Sequence, residues 1–151
     1  MIEPMPIYFA YGSNMSSARL LARVGAARAM GPVHVCDWRL VFNKPGSDGT
    51  GKANLVSELG ARSWGVAYEI AGSEWERLDS FETGYERALF RLERSDGSSI
   101  EAQAYLFFFL EGTRALPPSP DYLAHLLTGA LEHGLPADYI ASISEVAWPG
   151  G

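Results

Sequence analysis

Apolar positions cluster in six short segments over the first two thirds of the chain, at 7–11, 33–43, 53–57, 64–70, 88–94 and 100–110. Each reads as a strand. Arg62-Ser63-Trp64-Gly65-Val66-Ala67-Tyr68 mixes aromatic, β-branched and small residues as a packed strand does. Ser95-Asp96-Gly97-Ser98 carries the Asp-Gly signal of a tight hairpin joining two long strands. The run 105–110 is continuously apolar and predicts a central strand buried on both faces.

Helices are marked by their ends. Ser16-Ser17-Ala18-Arg19-Leu20-Leu21 reads as a helix start directly after Gly12-Ser13-Asn14. Ser73 followed by Glu76 is a capping box that predicts a helix to about Phe81. Ser119-Pro120 places serine at an N-cap and proline at the first helical position, and Gly134 suits the residue beyond the helix end. Pro136 opens a further short helix to about Ser142. With no internal repeat, low-complexity tract or linker, this order predicts one α+β domain over 1–151, helices packed around a strongly curved or closed, barrel-like sheet.

Composition narrows the function classes. The net charge of −6 lacks the basic footprint of a nucleic-acid binder. The longest apolar run, 104–110, is too short to span a bilayer, so no membrane partner is expected. Met1-Ile2-Glu3-Pro4 has no basic region of the kind that opens a signal peptide. A single cysteine, Cys36, excludes an internal disulfide and is compatible with a cytoplasmic location; its strand-like setting predicts a buried, inert thiol.

Several catalytic patterns fail on inspection. Gly46-Ser47-Asp48-Gly49-Thr50-Gly51-Lys52-Ala53 nearly matches a phosphate-cradling loop, but Ala53 has no hydroxyl for magnesium and the following residues look extended. His34, His125 and His133 have no metal-ligand spacing, and no Gly-x-Ser-x-Gly elbow is present. Two features remain. The strand that breaks at Tyr11-Gly12-Ser13-Asn14 leaves backbone N–H groups free to hold an anion or an oxyanion. In 78–87, a capped helix gives way to a strand through acidic residues. A carboxylate there faces the unfavourable end of the helix dipole, and enclosure by Phe81 and Tyr85 would raise its pKa. Glu82 and Glu86 are both candidates, and an Asp79 or Glu86 pair with Arg87 is the purely structural alternative.

Tyr8-Phe9-Ala10-Tyr11-Gly12-Ser13-Asn14-Met15, Gly51-Lys52-Ala53-Asn54-Leu55 and Trp64-Gly65-Val66 occur here in order with Leu78-Asp79-Ser80-Phe81-Glu82 and Gly84-Tyr85. The tail adds Pro117-Pro118-Ser119-Pro120-Asp121-Tyr122, Gly134-Leu135-Pro136 and Tyr139. Together these resemble the gamma-glutamylcyclotransferase family across nearly the whole chain. The resemblance implies a curved, barrel-like mixed sheet, a homodimer, and release of 5-oxoproline from gamma-glutamyl compounds with no metal or cofactor. Position by position it implies Glu82 as the catalytic acid–base, Tyr11, Gly12, Ser13 and Asn14 as the substrate loop, and Tyr85 and Tyr122 as pocket tyrosines. Asn14 after Tyr-Gly-Ser looks like the branch acting on gamma-glutamyl amino acids. Gamma-glutamyl amines and glutathione are the alternative substrates, and a non-catalytic small-molecule binder is the alternative from another class.

Overall fold

The computed structural model describes residues 6–109 and 114–147. The expected strand end at Leu110, part of the loop before Tyr122, and Met1–Pro4 lie outside the described residues. The elements are β1 (Ile7–Ala10), a 3-10 turn (Ser13–Met15), α1 (Ser17–Arg23), β2 (Arg28–Pro45) and β3 (Gly51–Glu69). A second 3-10 turn (Gly72–Glu74), α2 (Trp75–Phe81), β4 (Glu86–Arg94), β5 (Ser99–Leu106), α3 (Pro120–Glu132) and α4 (Ala137–Ala147) follow.

The sheet closes into a barrel in the order β1-β3-β2-β4-β5. All neighbours are antiparallel except β1 and β5, which meet in parallel at Tyr8 and Gln103 and close the ring. Closing so few strands requires strong bending, which bulges supply. β2 carries register shifts against β3 at Ala29/Gly31, Cys36/Trp38 and Val41/Lys44.

The two predicted strands at 53–57 and 64–70 are the ends of one long β3. Between them the register jumps from Trp38 opposite Ser57 to Cys36 opposite Arg62. Asp37 (φ 68) sits at this corner, and its carboxylate accepts the Gly60 N–H at 2.9 Å. Leu59, at the tip, is 92% exposed. The corner also turns Cys36 outward, so its thiol is exposed and not buried as strand alternation suggested. β5 ends at Leu106; Phe108 and Phe109 are exposed, so the apolar run is not a strand buried on both faces to its end.

The Asp-Gly hairpin forms as predicted, with Arg94 and Ser98 paired at 2.8 Å. Ser119 caps α3 by accepting the Tyr122 N–H at 3.1 Å, with proline at its start. The capping box at Ser73 does not form. Ser73 lies in the 3-10 turn, α2 begins at Trp75, and no side chain caps it. Glu74, at the end of that turn, accepts the Gly25 N–H at 2.9 Å. α4 runs beyond Ser142 to Ala147 because Ile143 and Ala147 face the core.

One apolar core fills the barrel and reaches under the helices, with Phe9, Leu20, Ile70, Leu78, Leu92, Leu126 and Ile143 fully buried. Each such side chain contributes about 2 kcal/mol relative to exposure. α3 packs directly on the 3-10 turn Ser13–Met15. A Cβ at Gly129 would land on the Met15 carbonyl carbon and the Ser16 nitrogen, and 2.6 Å from the Met15 Cβ. Only a residue without a side chain lets the helix approach this closely.

Gly129→Ala therefore sets a helix-propensity gain of about 1 kcal/mol against overpacking on unyielding backbone, which costs about 1–3 kcal/mol. Overpacking is expected to win, lowering unfolding free energy in urea melts by about 1–2 kcal/mol. An unchanged or raised stability would show that the approach is looser than described.

Candidate active site

β1 delivers Tyr8, and the chain then turns through Tyr11 and Gly12 into the 3-10 turn. That turn is closed by the Met15 N–H on the Gly12 carbonyl (3.1 Å) and the Ser16 N–H on the Ser13 carbonyl (3.2 Å). Neither bond uses the N–H of Gly12, Ser13 or Asn14 as donor. The Ser16 hydroxyl caps α1 by accepting the Arg19 N–H. Gly12 lies so close to the far wall that a Cβ would sit 3.2 Å from Ala53 Cβ and 3.4 Å from the Tyr122 hydroxyl.

Opposite this turn, α2 ends at Phe81, and Glu82 is its C-cap, with φ −103° and ψ 47°. Asn14 Nδ2 donates to Glu82 Oε1 at 2.8 Å and to the Tyr8 hydroxyl at 3.0 Å. Arg23, from α1, approaches the same carboxylate at 3.6 Å. The two separate features seen in the sequence are thus joined by one side-chain hydrogen bond.

Glu82, Tyr11, Gly12, Ser13, Asn14, Tyr85 and Tyr122 all line a single cleft of about 290 Å³. Glu82 is its only lining carboxylate among the described residues. Glu86, the competing candidate, is exposed on β4. Asp79 takes the structural role, pairing with Arg87 at 3.1 Å and accepting from the Tyr105 hydroxyl at 2.6 Å.

The Glu82 carboxyl is raised above its ordinary 4.5, with burial the main cause; Arg23, Asn14, Arg19 and Lys44 pull the other way. Phe81 contributes less enclosure than expected, being half-exposed with the Arg23 guanidinium 5.1 Å over its ring. Burial also pushes the Tyr8, Tyr11 and Tyr85 hydroxyls up, and that of Tyr122 to about 12. These tyrosines are therefore neutral near pH 7.

The tyrosine hydroxyls are largely spoken for. Tyr11 donates to the Tyr105 carbonyl. Tyr85 donates to the Ala53 carbonyl at 2.7 Å, while Tyr122 accepts the Ala53 N–H at 3.0 Å. One residue of β3 thereby fixes two rings, Tyr85 just before β4 and Tyr122 from α3.

A protein-family model described as the AIG2-like family matches residues 62–143. The human protein named Gamma-glutamylcyclotransferase is 30% identical over 143 residues, which cover 88% of this chain and 74% of the human one. Its bovine counterpart of the same name is 27% identical over 93% of this chain and 78% of its own length. This chain belongs to the AIG2-like, gamma-glutamylcyclotransferase family. A solved structure named Gamma-glutamyl cyclotransferase superposes with a TM-score of 0.85 at 27% identity, covering 92% of this chain and 86% of that one. The barrel-like sheet with flanking helices is therefore the fold of this family.

Outside the 46–54 stretch, sequence reasoning missed six lining residues of this family member: Tyr8, Arg19, Arg23, Lys44, Thr83 and Tyr105. The arginines carried a readable signal, because an i, i+4 pair just after the Tyr-Gly-Ser-Asn turn puts both on one helix face. His133 is structural, its Nε2 lying 2.9 Å from the Tyr68 hydroxyl. His34, Cys36 and Glu93 bring one donor atom each within 4.8 Å of one another, yet none of them lines the cleft. Among the described residues, no helix is long and apolar enough to cross a membrane.

A carboxyl raised on folding holds a proton that the unfolded chain has already released, so its titration lowers stability as pH rises from 4.5 through the folded-state value. Glu82→Gln is expected to remove that decline. The stability difference between variant and wild type, followed by denaturant melts at several pH values, should move in the variant's favour across this window. A difference independent of pH would contradict the raised carboxyl.

Proposed function

We propose that this protein is a cyclotransferase that releases 5-oxoproline from gamma-glutamyl amino acids, with Glu82 as general base and then general acid. The observation that carries the reading is the half-buried Glu82 carboxylate, the one carboxylate lining the cleft among the described residues, held by Asn14 beside a turn whose closing hydrogen bonds are donated by Met15 and Ser16. The names of the human and bovine relatives support the reaction class.

The chemistry asks for little more than this cleft contains. The substrate's own α-amine attacks its γ-carbonyl carbon, forming the ring C–N bond and breaking the γ-C–N bond to the leaving amino acid. No side-chain nucleophile is needed, because attacker and target belong to one molecule. Holding the chain folded back can supply several kcal/mol, part of the roughly 7–11 kcal/mol available from orientation.

The α-amine, with a pKa of about 8, arrives mostly as ammonium and must lose a proton. Glu82 would take that proton and pass it to the departing nitrogen; the second proton that the ring nitrogen sheds on becoming an amide follows the same route, so the leaving amine ends as ammonium, protons balance and the enzyme ends unchanged. The N–H groups of Gly12, Ser13 and Asn14 would bind the oxyanion that forms on the γ-carbonyl. Tyr11, Tyr85 and Tyr122 would form neutral walls that hold the folded-back chain, their hydroxyls being committed to the backbone and to each other's supports.

Glu82→Gln is the direct test, since glutamine keeps the size and still accepts from Asn14 but cannot move a proton. Release of 5-oxoproline from gamma-glutamyl-alanine is expected to fall by about 10²–10⁴-fold, with circular dichroism unchanged. Full turnover by a folded variant would remove Glu82 from the mechanism. Wild type that binds the dipeptide and returns it intact would instead be a binding protein on the same fold.

A further inference from the structure

The hairpin between β2 and β3 places Lys44 directly opposite Lys52 in the register. Like charges directly opposite one another, with Cβ atoms about 5 Å apart, repel and weaken a sheet. Neither lysine has a carboxylate ion-pair partner among the described residues. Lys44 Nζ donates to the Pro45 carbonyl at 3.1 Å. Asp48, the acidic group near Lys52, is held by the Thr50 N–H at 3.0 Å and the Thr50 hydroxyl at 2.6 Å.

Both ammonium groups are nonetheless fixed at the cleft. Lys44 Nζ lies 5.5 Å from the centroid of the Tyr85 ring, and Lys52 Nζ lies 4.5 Å from that of Tyr122. A ring face orients a cation without neutralising it. Those two rings are the ones tied to Ala53, so the lysines rest on an anchored platform. The arginines on the other side are engaged, Arg19 with Ser13 at 2.9 Å and Arg23 with Glu82.

We infer that Lys44 and Lys52 form a carboxylate subsite that receives the α-carboxylate of the leaving amino acid. The inference rests on the cyclotransferase reading of the same cleft. The leaving nitrogen must come within reach of Glu82 to be protonated. In an amino-acid leaving group the carboxylate carbon is two bonds from that nitrogen, so it stays within a few ångströms of it, in the cleft that Glu82 shares with both lysines. A carboxylate between the two ammonium groups turns their repulsion into two attractive contacts. The subsite selects gamma-glutamyl amino acids over gamma-glutamyl amines whose leaving group carries no carboxylate.

The test compares gamma-glutamyl-alanine with gamma-glutamyl-alaninamide, which differ only in that carboxylate. Wild type, Lys44→Met, Lys52→Met and the double variant are assayed for 5-oxoproline release, since methionine keeps an apolar stem over each ring. Wild type is expected to favour the acid in kcat/KM by at least about tenfold, the scale of a charge-assisted hydrogen bond. Each lysine variant should lose more rate on the acid than on the amide, the double variant should treat both alike, and Lys52→Arg should retain the preference. Equal wild-type rates on the two substrates, or variants that lose both substrates in parallel, would overturn the subsite and leave the cyclotransferase reading intact.

Calorimetry on Glu82→Gln protein separates the two ideas if wild type turns over neither compound. Tighter binding of the acid that disappears with Lys44→Met and Lys52→Met keeps the subsite while the reaction falls. Equal binding of both ligands, or binding of neither, removes the subsite as well.

Discussion

The hydrogen bond from Asn14 to Glu82 is the contact on which the cleft depends. A carboxylate in a low-dielectric cleft is costly unless donors meet it, and Asn14 at 2.8 Å with Arg23 at 3.6 Å are its partners. Asn14 can reach it only because the chain leaves β1 in a tight 3-10 turn. That turn is pinned from behind: the Tyr68 hydroxyl donates to the Met15 carbonyl at 3.0 Å, and the backbone there lies flush against Gly129 of α3. Tyr68 and the Ser17 hydroxyl in turn share His133, just beyond the end of α3. The position of one carboxylate is thus traced through a turn, a strand and a helix to the core.

A second constraint shapes the opposite wall. The Ala53 peptide is bonded at both its N–H and its carbonyl by tyrosines that are distant in sequence, Tyr122 and Tyr85. β3 therefore carries α3 and the start of β4 on one residue, and the near approach of Gly12 to Ala53 narrows the cleft from the other side. The rings stay neutral because burial holds their hydroxyls well up. Neutral walls matter here, since an ionised phenolate would compete with Glu82 for the cations around it.

Local signals foretold what local physics decides. The Asp-Gly hairpin at 96–97 and the Ser119-Pro120 start of α3 follow from turn and cap chemistry within a few residues, and both stand. Ser73 shows the limit: its capping pattern is intact in sequence, yet a 3-10 turn takes up Gly72–Glu74, Ser73 falls inside it, and the helix starts uncapped at Trp75. Cys36 and the 53–70 segment failed for a different reason. Closing a five-stranded barrel needs a corner, and a bulge at Asp37 reverses which face a residue presents. Glu82 and the Tyr11-Gly12-Ser13-Asn14 turn were legible as separate chemistry-bearing pieces. The pairing of Lys44 with Lys52 was not, because it lies in a cross-strand register that spacing along the chain does not reveal.

The charge pattern of the cleft bears on how the proposed proton transfer would run. Four cations, Arg19, Arg23, Lys44 and Lys52, line it against one carboxylate, in a chain whose net charge is −6. Such a patch draws in anionic ligands against the general field of the protein. Arg23, Arg19 and Lys44 favour the ionised form of Glu82, yet burial outweighs them and its carboxyl is still raised. A substrate ammonium brought beside that carboxylate would form a charged pair in a poorly solvated place. Passing the proton across makes both groups neutral, and the lower the local dielectric, the less the neutral pair is disfavoured. The desolvation that makes Glu82 costly to the folded protein is then the same effect that would free the amine to attack. A more open, better hydrated cleft would stabilise the carboxylate and the ammonium together, and would leave the nucleophile protonated.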